Sequence, residues 1–291
     1  MKEKYLGALL LLPTITITLS IIVYPTIYSL WLSFTDKITL SPQANFIGLE
    51  NYVRTLYDPL FYNSLINGLI FSGGSIAIQL VVGLTIALVL NENFKGRAFI
   101  RGLTIFSWFM PHIISILIWR WMFHDVLGVV NYVLMALGLL TGPRGWVGEA
   151  DTAMLAVLFV NAWIFAPYIT IWALARLQTI PDHLYEAAKV DGASAFQRFT
   201  HITLPELKSV ILVILLLRFI WMFTKFDTVW LLTGGGPLHR TETVPIYAYL
   251  TAFVHFEQGL GASIVMIIFA ILAIFSLFYL SRAVPTEERI L

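Results

Sequence analysis

Two cationic side chains, Arg218 and Lys225, lie within a strongly apolar stretch of the sequence, residues 209–231. Arg218, Met222 and Lys225 follow the i, i+4, i+7 spacing of one helix face, which extends over about 10 Å. A charge inside a hydrocarbon layer costs about 2.5–3.5 kcal/mol on insertion scales, and it usually marks a pathway or an ion pair. Asp227 is nearly half a turn away from Arg218 on such a helix. The pattern therefore predicts that this face lines a pathway, with an ion pair to another chain or a snorkelling Lys225 as the alternatives.

A second face with the same spacing occurs earlier in the chain. Asn161, Phe165 and Tyr168 are spaced so that they share one side of a helix, and they combine two hydrogen-bonding groups with aromatic surface. Sugars are bound by such a combination of polar groups and rings. We predict that the two faces together line a substrate pathway.

The composition is that of an integral membrane protein. Among 291 residues, 58% are hydrophobic and 12% are charged, where about a quarter is usual for soluble domains. The sequence contains no cysteine, which excludes disulfides and thiolate metal sites. No basic run indicates nucleic acid, and the apolar segments hold no acid–base pair or ligand cluster, so we predict no catalytic residue and no metal.

The apolar runs define the transmembrane elements and their orientation. Six segments are long enough to cross about 30 Å of hydrocarbon. We predict a single transmembrane domain over residues 1–291 with spans at about 8–32, 64–90, 103–123, 153–175, 206–231 and 260–281. We take the first segment as a retained helix, because its uncharged run is too long for a signal peptide. With both termini inside, eleven Lys and Arg side chains lie in the cytoplasm and four lie outside.

Residues 126–143 are also uncharged and offer an alternative seventh span. Their Gly, Asn and terminal Gly-Pro residues interrupt the run, so we favour a helix at the outer interface. With six spans, the polar segment 177–205 faces the cytoplasm.

That polar segment reads as two helices joined by a turn. Pro181 suits a first helical position, and Gly192 can adopt the left-handed conformation that closes a helix. Ser194 and Gln197 are spaced for a capping box at the start of the second helix. Pro205 then begins the next transmembrane helix.

The same segment resembles the EAA loop of bacterial ABC importer permeases, which reads EAA, three residues, Gly, nine residues, Ile, any residue, Leu-Pro. The matching residues are Glu186, Ala187, Ala188, Gly192, Ile202, Leu204 and Pro205. Residues 223–243, FTKFDTVWLLTGGGPLHRTET, are similar to the fifth helix and outer loop of sugar permeases of the maltose, glycerol-phosphate and lactose type. They resemble the member of each permease pair that carries Gly-Gly-Pro.

This resemblance implies an all-α fold of the ABC type I importer class, in a multi-pass protein of the cell (inner) membrane with cytoplasmic coupling helices. It also implies a heterodimer with a second permease subunit, an ATPase dimer that binds ATP and magnesium, and an extracytoplasmic solute-binding protein. No P-loop motif occurs here, so ATP must be hydrolysed by another chain. The implied ATPase-coupling residues are Glu186, Ala187, Ala188, Asp191 and Gly192. The implied docking residues for the binding protein are Gly235, Gly236 and Pro237.

The resemblance also bears on the cargo. Both predicted faces correspond to positions that line the substrate site in the maltose-type permease, where the fifth-helix positions are neutral and polar. Here Arg218 and Lys225 are cationic, so we hypothesise an anionic sugar derivative that carries a carboxylate, sulfonate or phosphate. The alternatives are an ABC permease for a non-sugar nutrient and an ion-driven secondary transporter, which would need paired intramembrane carboxylates or an inverted repeat.

Overall fold

The computed structural model describes residues 2–283, and the side chains of residues 9–282. This part of the chain is helical and holds no strand, only an isolated bridge between Thr35 and Phe46. The predicted all-α class is therefore confirmed. Both chain ends, predicted to be cytoplasmic, include residues outside the described part. The helices are α1 Lys2–Thr18, α2 Tyr24–Ser33, α3 Glu50–Tyr57, α4 Pro59–Asn91, α5 Arg97–Phe109, α6 His112–Met122, α7 Val129–Ala136, α8 Ala153–Leu177, α9 Asp182–Val190, α10 Ala195–Arg198, α11 Leu204–Phe223, α12 Asp227–Thr233, α13 Val244–Tyr249 and α14 Gln258–Ala283.

Four continuous helical stretches in the described residues are long and apolar enough to cross a membrane: Leu9–Ser33, Pro59–Asn91, Ala153–Leu177 and Gln258–Arg282. The number rises to six if each of two bent pairs of helices forms one span. The first pair is α5 and α6, and the second pair is α12 and the continuous helix that runs from α10 through α11. The first stretch joins α1 to α2 through a π-helical turn, Leu19–Val23. Its most apolar window has no buried residue, so its side chains are available to lipid or to another subunit.

The predicted span 103–123 is two helices in the structure, with an angle of 93° between α5 and α6. Pro111 separates them: it has no backbone N–H to continue the helical ladder, and its ring disfavours a helical residue before it. Met110 is accordingly extended, with φ −67° and ψ 139°. At 1.5 Å per residue, neither helix alone crosses about 30 Å of hydrocarbon.

The predicted span 206–231 also contains a break. α11 ends at Phe223, α12 begins at Asp227, and the two axes differ by 45°. The Asp227 carboxylate accepts a hydrogen bond from the N–H of Thr228 (2.9 Å) and so satisfies a donor at the new helix start. The structure therefore differs from the predicted continuous face, because Lys225 lies in the break.

The chain forms two compact units. One comprises the residues up to Tyr62 together with Tyr247–Ile271, and the other comprises Asn63–Ile246 and the chain from Leu272. In the first unit, Asn51 donates to the carbonyls of Ser33 (3.1 Å) and Thr35 (2.8 Å), and so holds α3 against the end of α2.

The second unit is built around α8, and 72% of the most apolar window of α8 is buried. α4 reaches α8 closely at Gly83, where an added Cβ would lie 2.9 Å from the carbonyl oxygen of Ala166 and 2.8 Å from the Cβ of Ile169. The hydroxyl of Thr170 donates to the Gly83 carbonyl at 3.2 Å. A small residue at position 83 is thus what lets the two helices approach.

Within residues 126–143 the structure has only the eight-residue helix α7. At about 12 Å it is too short to cross the bilayer, which argues against the seventh span. Buried Asn131 holds α7 to the following loop through the carbonyl and N–H of Arg144 (2.9 and 3.2 Å) and the indole N–H of Trp146 (2.8 Å). The N–H of Gly145 and then the guanidinium of Arg144 stabilise the Glu149 carboxylate and hold its pKa below the usual value.

We predict that Gly83→Ala lowers the free energy of unfolding by about 1–3 kcal/mol, because the methyl group has no room against α8. The measurement is the thermal unfolding midpoint of the purified protein in detergent. Gly73→Ala is the matched control on the same helix, since nothing lies within 4 Å of its added Cβ. Equal midpoints for the two variants would contradict the close approach at Gly83.

Candidate functional site

An open cavity of about 530 Å³ lies in the second unit, where both helix breaks meet the buried helix α8. The end of α5, the start of α6 and the chain between α11 and α12 contribute to its wall. Broken helices expose side chains and backbone to the cavity that an intact helix would hold against its neighbours. The lining residues are Trp108, His112, Phe165, Arg218, Trp221, Met222, Thr224, Lys225, Phe226 and Asp227.

Arg218 carries the deepest charge in this wall. Its side chain is 1% exposed, and its Nε and Nη2 donate to Oε1 of Gln79 on α4 at 3.0 and 2.6 Å. Its Cζ lies 4.6 Å from the centre of the Phe165 ring and 5.5 Å from that of Tyr168. Within the described residues no carboxylate bonds to it, so aromatic rings and an amide dipole stabilise a cation that no anion neutralises.

Lys225 has the partner that Arg218 lacks. Its Nζ lies 2.9 Å from Oδ1 of Asp227 and 4.8 Å from the centre of the Phe165 ring. The helix break makes this pair possible, because the two residues are only two positions apart and the chain between α11 and α12 is not helical. The cavity wall thus holds two cations and one carboxylate, and the excess charge is positive.

Four of the six predicted pathway residues line the cavity: Phe165, Arg218, Met222 and Lys225. The other two lie behind the wall. The Asn161 amide Nδ2 is 2.9 Å from the Met222 sulfur, and Asn161 is fully buried. The Tyr168 ring packs between Trp108 and Trp221, at centroid distances of 5.9 and 5.5 Å.

The sequence reading missed Gln79, Trp108, Trp221 and the pairing of Asp227. Gln79 carries the one amide side chain between residues 68 and 90. A lone amide inside an apolar span is a signal that could have indicated a buried polar contact. The ring of His112 packs edge-on against Phe165, with 4.9 Å between ring centres, and lines the cavity.

The polar segment forms the predicted helix–turn–helix. Gly192 has φ +78°, and the N–H groups of Gly192 and Ala193 donate to the carbonyls of Lys189 (3.1 Å) and Ala188 (2.9 Å), a Schellman closure of α9. The capping box of Ser194 and Gln197 is present. Two details differ from expectation. Pro181 is the residue before α9, and α10 continues through a π-helical turn, Phe199–Thr203, into α11 without a break at Pro205.

The predicted coupling residues lie on the outside of this segment. Glu186, Ala187, Asp191 and Gly192 are exposed and Ala188 is half-buried. Glu186 forms no ion pair with any described residue. Two apolar side chains beside them are also exposed, Val190 at 87% and Phe196 at 73%. Exposed apolar groups next to exposed charges are typical of a surface that another protein covers.

Two contacts lie at the base of this segment, where it meets α8 and α11. Arg176, near the end of α8, donates to the side chain of Glu206 (2.8 Å) and to its backbone carbonyl (3.0 Å). The hydroxyls of Tyr185 on α9 and Thr203 lie 2.9 Å apart. The first contact joins α8 to α11, the two helices that carry Phe165 and Arg218, and the second joins α9 to the π-helical turn that leads into α11.

The Gly-rich turn after α12 is tightly closed. Gly234 and Gly235 have φ of 63° and 93°, and the Thr241 hydroxyl donates to the Gly236 carbonyl at 2.7 Å. Gly235 is buried, and Gly236 and Pro237 are half-buried. Gly234 is exposed, and so are the three residues after Pro237, which are Leu238, His239 and Arg240.

Comparison with known proteins agrees with this architecture. The family model described as "Binding-protein-dependent transport system inner membrane component" matches residues 79–286. The trehalose/maltose transport system permease protein MalF of Thermococcus litoralis is 37% identical, over 96% of this chain and 94% of that protein. The sulfoquinovosyl glycerol transport system permease protein SmoG of Agrobacterium fabrum is 34% identical, over 98% and 92%.

A solved structure is also similar. It belongs to a bacterial ABC transporter involved in the import of the acidic polysaccharide alginate, with a TM-score of 0.84 and 25% identity over 97% of this chain and 96% of that chain. Among the described residues of this chain, no group of three or more His, Cys, Asp or Glu side chains could hold a metal ion.

We predict that the double variant Arg218→Met/Gln79→Met is as stable as the parent or up to about 1–4 kcal/mol more stable, because a buried charge is removed together with its acceptor. The single variant Arg218→Met should be less stable than the double variant by about 1–3 kcal/mol, since it leaves the buried Gln79 oxygen without its donors. Thermal unfolding in detergent measures both. A double variant well below the parent would show that the pair exists for stability.

Proposed function

Because the chain belongs to the family of binding-protein-dependent transport system inner membrane components, we propose that its cavity translocates a sugar derivative that carries a negative charge. The chain is a permease subunit of an ABC importer for sugars and not an enzyme, and ATP is hydrolysed by the partner ATPase. This membership excludes the ion-driven transporter considered from the sequence.

The observation that carries the proposal is the uncompensated guanidinium of Arg218 in the cavity wall. A membrane protein keeps an ionisable group at such a position at a cost, and the group commonly serves a substrate pathway. Because Lys225 is paired with Asp227 at 2.9 Å, the positive excess of the cavity comes from Arg218. Carboxylates, sulfonates and phosphates are the groups that a guanidinium recognises best.

The aromatic wall supports a sugar as the body of that cargo. Trp108, Phe165 and Trp221 supply flat apolar surface beside the cation, and His112 and Thr224 add polar atoms. Among similar proteins, one imports the acidic polysaccharide alginate and another is named for trehalose and maltose. The positive excess of the cavity favours an acidic cargo.

We further propose that the segment from α9 to α10 is the handle through which the ATPase dimer, with its bound ATP and magnesium, moves the pathway. Exposed Glu186 supplies an ion-pair partner, and Val190 and Phe196 supply apolar contact. Because α10 continues into α11, movement of the handle displaces the helix that carries Arg218. Closure of the ATPase dimer would thus be converted into a change of access to the cavity.

We place the chain in the inner membrane of the cell. The positive-inside rule then orients it with α9 and α10 on the cytoplasmic side. The second permease forms a heterodimer with this chain and completes the pathway. The turn closed by Gly235, Gly236 and Pro237 then lies outside, where it presents Leu238, His239 and Arg240 to an extracytoplasmic solute-binding protein.

The proposed cargo is tested by Arg218→Gln in the assembled importer in nanodiscs. We expect the affinity for a uronic-acid disaccharide to fall about tenfold or more, which corresponds to about 1.4 kcal/mol. The affinity for the neutral disaccharide of the same linkage should change less than about threefold, because the lost interaction acts on charge. Isothermal titration calorimetry measures both values.

Arg54→Gln is the control for loss of a cation elsewhere, since Arg54 pairs with Glu257 at 3.0 Å outside the cavity. It should leave both affinities unchanged. Equal losses for the acidic and the neutral disaccharide in Arg218→Gln would contradict charge recognition, as would a parent protein without preference for the acidic one.

The handle is tested by Gly192→Ala, which places a side chain at φ +78° at a cost of about 1–2 kcal/mol. We expect cargo-loaded binding protein to stimulate ATP hydrolysis less than in the parent, because the turn between the two coupling helices is strained. Gly96→Ala is the matched control: φ is +88°, nothing lies within 4 Å of the added Cβ in either case, and Gly96 is outside the handle. Stimulation reduced equally in both variants would argue against the proposed role of α9 and α10.

A further inference from the structure

Gln79 is the least expected residue beside the cavity. It lies on α4, is fully buried, and is the one amide side chain between residues 68 and 90. Its Oε1 accepts from both Nε and Nη2 of Arg218, at 3.0 and 2.6 Å, so it meets one whole edge of the guanidinium. A carboxylate usually occupies that place, because two charged oxygens match the same edge.

The choice of an amide in place of a carboxylate has an electrostatic consequence. A carboxylate at this position would match the geometry of the guanidinium equally well, but its negative charge would cancel the positive charge of Arg218. An amide oxygen offers the acceptor without the negative charge. In a medium of low dielectric constant, the difference between a neutral and a charged acceptor extends over the whole cavity.

The other groups that face Arg218 leave the charge intact as well. The Phe165, Tyr168 and Trp221 rings are neutral, and the Met222 sulfur, 3.4 Å from Nη2, is a weak acceptor. Asp227 is engaged by Lys225. Among the described residues Nη1 of Arg218 makes no hydrogen bond, so one end of the guanidinium keeps its donors.

We propose that Gln79 is a positioning residue that sets the charge selectivity of the cavity, because it fixes Arg218 through an uncharged oxygen and so preserves the positive excess. The inference rests on the proposed function, since it explains how an acidic cargo is distinguished from a neutral one. Gln79 acts through Arg218 and does not itself line the cavity.

The test compares two substitutions that differ in charge. Gln79→Glu has nearly the same shape and pairs ionically with Arg218, so the ratio of affinities for the uronic-acid disaccharide and its neutral counterpart should fall about tenfold. Gln79→Met removes the acceptor and keeps the charge of Arg218, so this ratio should stay within about threefold of the parent. Both are measured by calorimetry on the assembled importer in nanodiscs, with the thermal unfolding midpoint as the check on assembly.

The outcomes separate this inference from the proposed function. A Gln79→Glu importer with the parent's ratio of affinities would overturn the inference. An equal fall of this ratio in Gln79→Glu and Gln79→Met would also overturn it, because it would indicate a packing role. If the parent prefers the acidic disaccharide and Arg218→Gln abolishes this preference, the proposed function stands in either case. Should Gln79→Glu not assemble, Gln79→Asp carries the same prediction with a shorter carboxylate.

Discussion

The guanidinium of Arg218 lies inside a helix bundle with an amide oxygen of Gln79, at 2.6 Å, as its nearest acceptor. A buried arginine is ordinarily neutralised by a carboxylate, and the desolvation of an uncompensated cation is costly. The surrounding rings and the amide dipole reduce that cost without removing the charge. Side chains of α4, α8 and α11 all contact this one group, through Gln79, Phe165 and Met222.

The two helix breaks make the cavity possible. In a bilayer, backbone N–H and C=O groups must be satisfied within the protein, so a helix interruption is tolerated only where protein or water surrounds it. The break at Pro111 turns α5 away from α6 by 93°, and the break before Asp227 lets Lys225 and Asp227 pair side by side. Both breaks lie at the cavity, where a wall of straight helices would be packed shut.

The segment from α9 to α10 is connected to the cavity through α11. Arg176 and Glu206 join the ends of α8 and α11, and α10 continues into α11. These are the helices that hold Phe165 and Arg218, so continuous backbone joins the exposed surface of the segment to the cavity wall. Such a connection is what the proposed coupling to an ATPase requires.

The sequence by itself determined that this is a membrane protein, since apolar runs and low charge follow from the cost of charge in hydrocarbon, and its EAA spacing indicated the family by resemblance. Gly192 and the Ser194–Gln197 capping box were predictable for the same reason, because a turn and a cap depend on a few consecutive residues. The positions of Phe165, Arg218 and Met222 on shared faces followed from helical periodicity. The partner of Arg218, the pairing of Lys225 and the place of Asn161 and Tyr168 behind the wall were decided only by tertiary structure, because they depend on how separate helices approach and where they break.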